Sequence, residues 1–246
     1  MTNFSAQVDS RSPRVTMAPV SFNIFGGRYD GEIVATLGDT MSAEIKSRIT
    51  DLYVAQLAAY GGAANTVSGQ LSGNGTFTGR GRDVASALAA ARGDGSATMT
   101  DGAIQRLNLV RTVVLFLGRP APGSGEGSDR YDRIDLRFSL ADGVARADSF
   151  ALRSPDFDLT GTGTLTLASK AIDGAFTLLL SEKLSSQAGT DLVRFTREGN
   201  RVTLPARVSG TLESPRVTID AKDALKRGIR NEGERRIKGL LEGLLK

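Results

Sequence analysis

Apolar and polar residues alternate at period two through much of this chain, the pattern of strands with one face buried. Ile134, Leu136, Phe138 and Leu140 alternate with Asp135, Arg137 and Ser139. Phe157, Leu159, Leu165 and Leu167 share a parity with Gly161 and Gly163, opposite Asp158 and Thr160, Thr162, Thr164 and Thr166. Ile172, Phe176, Leu178 and Leu180 form the next apolar row, followed by Val202, Leu204, Ala206, Val208 and Leu212, then Val217 and Ile219. Turn signals separate the runs: Asp142-Gly143, Ser154-Pro155, Ser169-Lys170, Glu198-Gly199-Asn200 and Ser214-Pro215. They predict strands over 133–140, 144–153, 157–168, 171–181, 201–212 and 216–220. Joints this short connect antiparallel neighbours, because a parallel crossover needs about a dozen residues. Pro205, inside a strand pattern, belongs at an edge or bulge.

The N-terminal third is similar but interrupted. Ile33, Ala35 and Leu37 follow a turn signal at Asp30-Gly31, and Met41, Ala43, Ile45 and Ile49 make another run. A short helix is predicted at 51–60. Val67, Gly69, Leu71, Gly73, Gly75 and Phe77 keep one parity. Asp83 reads as the N-cap of a helix over 83–92 closed by Gly93. Residues 93–103 read as a strand between Asp-Gly turns, and Ile104, Leu107, Val110, Val114 and Leu117 set a helical stripe over 104–117. Residues 118–130, rich in Gly, Pro and Ser, read as a flexible loop inside one domain. Ala221, Leu225, Ile229, Ile237 and Leu244 give an amphipathic helix over 221–246, weakened by Gly228, Gly233, Gly239 and Gly243.

Composition narrows the chemistry. The 246 residues contain no Cys, His or Trp, so Ser-His-Asp and Cys-His constellations and thiolate or imidazole zinc sites cannot form within the chain. No cofactor motif is present: GTGTLTL and GNGTFTG lack the third glycine and following helix of a dinucleotide site. Asp156 and Asp158 share the polar side of a strand, where a solvated face is expected rather than an acid–base pair. Asp129, Asp132 and Asp135 stand beside Arg130, Arg133 and Arg137, as surface pairs do. The net charge of +4 equals the excess of basic residues in 222–246 alone. That helix is read as a plug at one end of the sheet, or as a segment lying on an anionic membrane surface. It has no aromatic interleaving for nucleic acid, and none is expected as a partner. No apolar stretch is long enough to span a membrane, and the N-terminus has no apolar signal core.

The apolar face leaves two readings open: a closed core, or a groove that takes an apolar ligand. The order of several segments resembles the C-terminal region of the AsmA family of Gram-negative envelope proteins. These are residues 18–33 with Phe25-Gly26-Gly27, 67–104 with its Gly/Thr strand, Ala-rich helix and Asp101-Gly102-Ala103-Ile104, 150–167, and 204–220 with Val208-Ser209-Gly210-Thr211-Leu212. The resemblance covers nearly the whole chain, 1–246, as a single AsmA-like domain. It implies a mainly β fold, a curved antiparallel meander shaped as a trough, with short inserted helices. It also implies a non-enzymatic periplasmic role in lipid transport and outer-membrane biogenesis, held at the inner membrane by an anchor absent from this chain. Phospholipid is then the expected ligand. Expected lining residues are Ile134, Leu136, Phe138, Leu140, Phe150, Leu152, Phe157, Leu159, Leu165, Leu167, Phe176, Leu178 and Leu180. The competing reading is a scaffold that contacts envelope proteins and influences outer-membrane protein insertion through an exposed sheet edge.

Overall fold

The computed structural model describes residues 1–105, 107–116, 129–186 and 197–219. Residues 220–246 lie outside this range, so the helix expected over 221–246 does too, as does 118–128 of the expected loop; Asp129 and Arg130 already belong to a strand.

The described chain is one meander. In order it runs β1 (Thr2–Arg11), β2 (Arg14–Ile24), β3 (Gly27–Thr36), β4 (Met41–Tyr53), α1 (Val54–Tyr60), β5 (Gln70–Gly81), α2 (Val84–Ala89), β6 (Arg92–Ile104) and α3 (Leu109–Phe116). Then come β7 (Asp129–Ala141), β8 (Val144–Arg153), β9 (Phe157–Thr166), β10 (Ala171–Leu180), α4 (Glu182–Ser186), β11 (Arg197–Glu198), β12 (Arg201–Thr211) and β13 (Pro215–Ile219). Spatial order follows sequence order from β1 to β10, and β12 then pairs β10, β11 and β13. Every pairing is antiparallel. Among the described residues the order does not return from β13 to β1, so these strands form an open sheet.

The fold is therefore the mainly β curved meander expected. Asp142-Gly143 makes the β7–β8 hairpin with both residues at positive φ, +51° and +73°, as a two-residue turn matched to strand twist requires. Pro205 faces Thr177 of β10, while β11 and β13 pair β12 only at 201–202 and 206–210. It thus occupies the gap on the other side, where a missing N–H costs no ladder bond.

Several expected boundaries are corrected. Asp30-Gly31, Asp94-Gly95 and Asp101-Gly102 lie inside β3 and β6, not in turns; the β2–β3 turn is Phe25-Gly26, at φ +50° and +75°. The helix over 51–60 starts at Val54, because β4 continues to Tyr53 opposite Gln70. Asp83 does cap α2, its carboxylate accepting the Ser86 N–H at 2.7 Å. That helix ends at Ala89, however, and Gly93 is ladder-paired with Leu140 in β6. The helix over 104–117 is shorter for the same reason: Ile104 pairs with Asp129, and Asn108 at φ +51° breaks the approach to α3. No strand was expected over β1 or β2, although β2 alternates on either side of a register shift between Met17 and Val20.

α3 reports the curvature. Its first turn is held at β7, where the Asp129 carboxylate accepts the Leu109 N–H at 2.8 Å. Asp129 is buried, not on the surface where its neighbours suggested it, and it caps the helix. Eight residues of helix extend about 12 Å, yet α3 touches β13. On a flat sheet β13 would lie about 24 Å from β7, five strand spacings away. The sheet curls around α3, and the face that α3 packs on is concave.

Candidate functional site: the apolar inner face

Ladder register carries the alternation from strand to strand. One inner row reads Met99, Ile134, Leu152, Leu159, Leu178 and Leu204; the next reads Ala97, Leu136, Phe150, Gly161, Phe176, Ala206 and Ile219. A third runs Gly75, Gly95, Phe138, Ala147, Gly163, Gly174, Val208 and Val217, and a fourth Phe77, Gly93, Leu140, Ala145, Leu165 and Ile172. The residues expected to line a groove therefore share one face. Leu167 is the exception, lying just past the end of β9 and 50% exposed.

Burial divides that set. Ile134, Leu152, Phe157, Leu159, Leu178 and Leu180 are enclosed in a core with Leu109 and Val113 of α3, Leu184 of α4, and Val202 and Leu204. These six are covered by the protein's own side chains. Leu136, Phe138, Leu140, Phe150, Leu165 and Phe176 are only half-buried. Phe150 meets Phe176 edge-on at 5.5 Å between centroids, and both rest against the margin of the core. They mark the border between the sealed part of the face and the open part.

The open part extends into a region that sequence reasoning left out. Register continues the rows through Met17, Ile33, Ile45 and Phe77, and through Phe22, Tyr29, Ile49, Gly73 and Ala97. These apolar side chains are half-buried, and Val20 and Leu52 are the hydrophobic side chains of β1–β6 that reach full burial. The signal was present in the alternation of β2 to β4.

Glycine on this face makes room for aromatic rings. A Cβ on Gly174 would stand 2.5 Å from Phe176 Cε2, one on Gly93 2.7 Å from Phe77 Cδ1, and one on Gly95 2.9 Å from Phe138 Cζ. Each ring lies down over the neighbouring glycine instead of standing off the sheet, so the floor stays low. Tyr131 uses the same device at the sheet's end: its hydroxyl donates to the Ser68 carbonyl at 2.5 Å, against Gly69 and Gly102. Burial, then the charge of Asp101, pushes its phenol up to about 12.

The outer face is polar and paired. Arg28 meets Asp30 at 2.8 Å, Arg133 meets Asp135 at 2.7 Å, Arg207 meets Asp173 at 2.9 Å and Arg201 meets Asp158 at 2.9 Å. The Arg28 and Arg133 hydrogen bonds hold the Asp30 and Asp135 carboxyls below the usual carboxylate range. Asp158 is thus an ion-pair partner on the outer side. Among the described residues no group of acidic side chains is arranged to hold a metal ion, and no helix is long and apolar enough to cross a membrane.

Two curated proteins of Escherichia coli K12 resemble the chain. AsmA family protein YhjG is 25% identical over 236 residues, covering 93% of this chain and 32% of its own length. Protein AsmA is 24% identical over 177 residues, covering 70% of this chain and 28% of its own. The chain is related to the AsmA family. It spans about a third of the length of these AsmA relatives. No family model and no solved structure matches it.

Proposed function

We propose that this AsmA-like chain is a non-enzymatic module of the Gram-negative envelope that shelters phospholipid acyl chains on its inner face, on the periplasmic side, as part of lipid transport and outer-membrane biogenesis. One observation supports this reading: the apolar face is continuous across the sheet, but among the described residues the helices seal only part of it. The half-buried strip, from Met17 and Ile33 through Phe77 and Phe138 to Leu165, supports contact with an apolar chain and asks for no directional chemistry. Each methylene buried there contributes ~0.8 kcal/mol, so ten contribute about 8 kcal/mol before ordering costs. The basic segment 222–246 is an additional contact for anionic lipid surfaces in this reading.

Native mass spectrometry of the purified chain tests the proposal. A lipid-sized adduct is expected, and Ile45→Asp, Phe138→Asp and Leu165→Asp together should remove it while circular dichroism stays unchanged. A folded wild-type protein without adduct, or a folded triple variant that keeps it, overturns the assignment. The scaffold reading keeps one observation of its own: β1 is an edge strand, with Phe4 60% and Val8 62% exposed, and such an edge accepts a partner's strand. Recovery of envelope proteins without lipid, abolished by Ala6→Pro in β1, would favour it.

A further inference from the structure

Lys170 joins parts of the sheet that the ladder keeps far apart. It sits in the β9–β10 turn, and its Nζ donates to the Gly62 carbonyl at 2.8 Å while pairing with Glu213 Oε1 at 2.9 Å. Gly62 belongs to the connection between α1 and β5, and Glu213 to the β12–β13 turn. β5 and β9 are four strand spacings apart, about 19 Å on a flat sheet. The two connections also leave from opposite ends of their strands. Leu71 of β5 heads the row that reaches Leu159, and from Leu159 to Thr166 is about another 23 Å along β9. The Lys170–Gly62 contact exists because the sheet coils. With β5 to β9 it completes a ring, as a sheet that curls toward the face carrying α3 can do.

Three features make the contact a fastening rather than part of the core. Lys170 and Glu213 keep 31% and 40% of their side-chain surface exposed, so global folding depends little on them. The hydrogen bond from Lys170 holds the Glu213 carboxyl below its usual range, as a formed pair does. Beyond the pair itself, Leu212 N–H donates to the Lys170 carbonyl at 3.0 Å, which ties the β9–β10 and β12–β13 turns together at the same point.

We propose that Lys170, Glu213 and the Gly62 carbonyl form a clasp that holds the two halves of the sheet together over the apolar inner face, so that its release controls access to that face. The consequence for lipid loading rests on the function proposed above; the clasp itself does not. Its test needs no lipid. The chain has no cysteine, so a single Ala97→Cys on the inner face reports access by its rate of labelling with N-ethylmaleimide, and Asn74→Cys on the outer face of β5 is the control. In a Lys170→Met background, labelling at 97 should rise several-fold while labelling at 74 is unchanged. Lys170→Arg, which keeps the cation and its donors, should restore the slow rate at 97. Equal rates at 97 in both backgrounds overturn the clasp. So does equal acceleration at 97 and 74, which would mean general loosening. Protein that carries no lipid adduct still reports this result, so failure of the function and failure of the clasp are read separately.

Discussion

The sheet has two regions built on the same alternation and packed to different ends. In β7–β13, Leu152, Leu159, Leu178 and Leu204 stack across four neighbouring strands in one core with Leu109 and Val113 of α3, and are 3% exposed or less. In β2–β6 the equivalent rows contain Gly31, Ser47, Gly73, Gly75, Gly93 and Gly95, and their Ile, Met and Phe side chains remain half-buried. Alternation fixes which face is apolar; what lies over it is decided by large side chains in register and by a helix crossing the curl. Among the described residues one half of the sheet supplies its own cover, and the other keeps half-buried apolar side chains for which further burial would be favourable.

The contrast predicts unequal costs for the same truncation. Leu178→Ala, at a site with 0% exposure, should lower unfolding free energy by about 2–5 kcal/mol. Ile45→Ala on the half-buried face should cost about 1 kcal/mol, since only part of its transfer free energy is realised. Urea unfolding of both variants checks this, and equal losses would erase the distinction between the halves. Removing the cover indirectly should cost less than opening the core. Asp129→Ala leaves the buried Leu109 N–H without its acceptor and should destabilise by about 1–3 kcal/mol, with the change in amide exchange concentrated in α3.

A fourth variant sharpens the border between the halves. Gly174→Ala places a methyl 2.5 Å from Phe176 Cε2, so the ring must rise off the sheet toward Phe150. Overpacking of this kind costs typically 1–3 kcal/mol. Adding Phe176→Leu should recover part of that loss, because the smaller side chain vacates the space the new methyl takes. No recovery in the double variant would mean that the glycine serves the backbone and not the ring.

Much of this was readable beforehand, and unevenly. β7 to β10, β12 and β13 were legible because apolar parity is regular there and turn signals separate the runs, whereas β11 falls on the Glu198-Gly199-Asn200 signal; the shared face of Leu136, Phe150 and Phe176 followed. Asp-Gly pairs misled at 30–31, 94–95 and 101–102. At Gly31 and Gly95 the glycine serves close approach, under the Tyr29 and Phe138 rings, and not chain reversal. Two turns that do reverse the chain, Phe25-Gly26 and Asp142-Gly143, hold both residues at positive φ, a distinction composition does not carry. Which of the lining residues are sealed was not legible either. It depends on α3 meeting β13 a hundred residues further along the chain, and local periodicity holds no record of a contact at that range. The same holds for Lys170 and Gly62.

On the outer face of the sheet the two halves are alike. Arg28 and Asp30 on β3, and Arg133 and Asp135 on β7, repeat one arrangement: an arginine two residues before an aspartate, paired on the outer face at 2.8 and 2.7 Å. In each the arginine's hydrogen bond is the main reason the carboxyl sits below its usual value. A carboxyl whose folded pKa is depressed adds stability above the unfolded carboxylate range and loses it as pH falls through the folded value. Both pairs are exposed, so the effect is small. Wild type should therefore hold a slight advantage in urea midpoint over Asp30→Asn and over Asp135→Asn at neutral pH, of similar size in each case, and both advantages should vanish on acidification below that range. An advantage that survives at low pH would mean the aspartate acts by packing. A clearly larger one at Asp135 would mean that the sealed core behind β7 reaches through the sheet, and the difference between the halves would then no longer belong to the inner face alone.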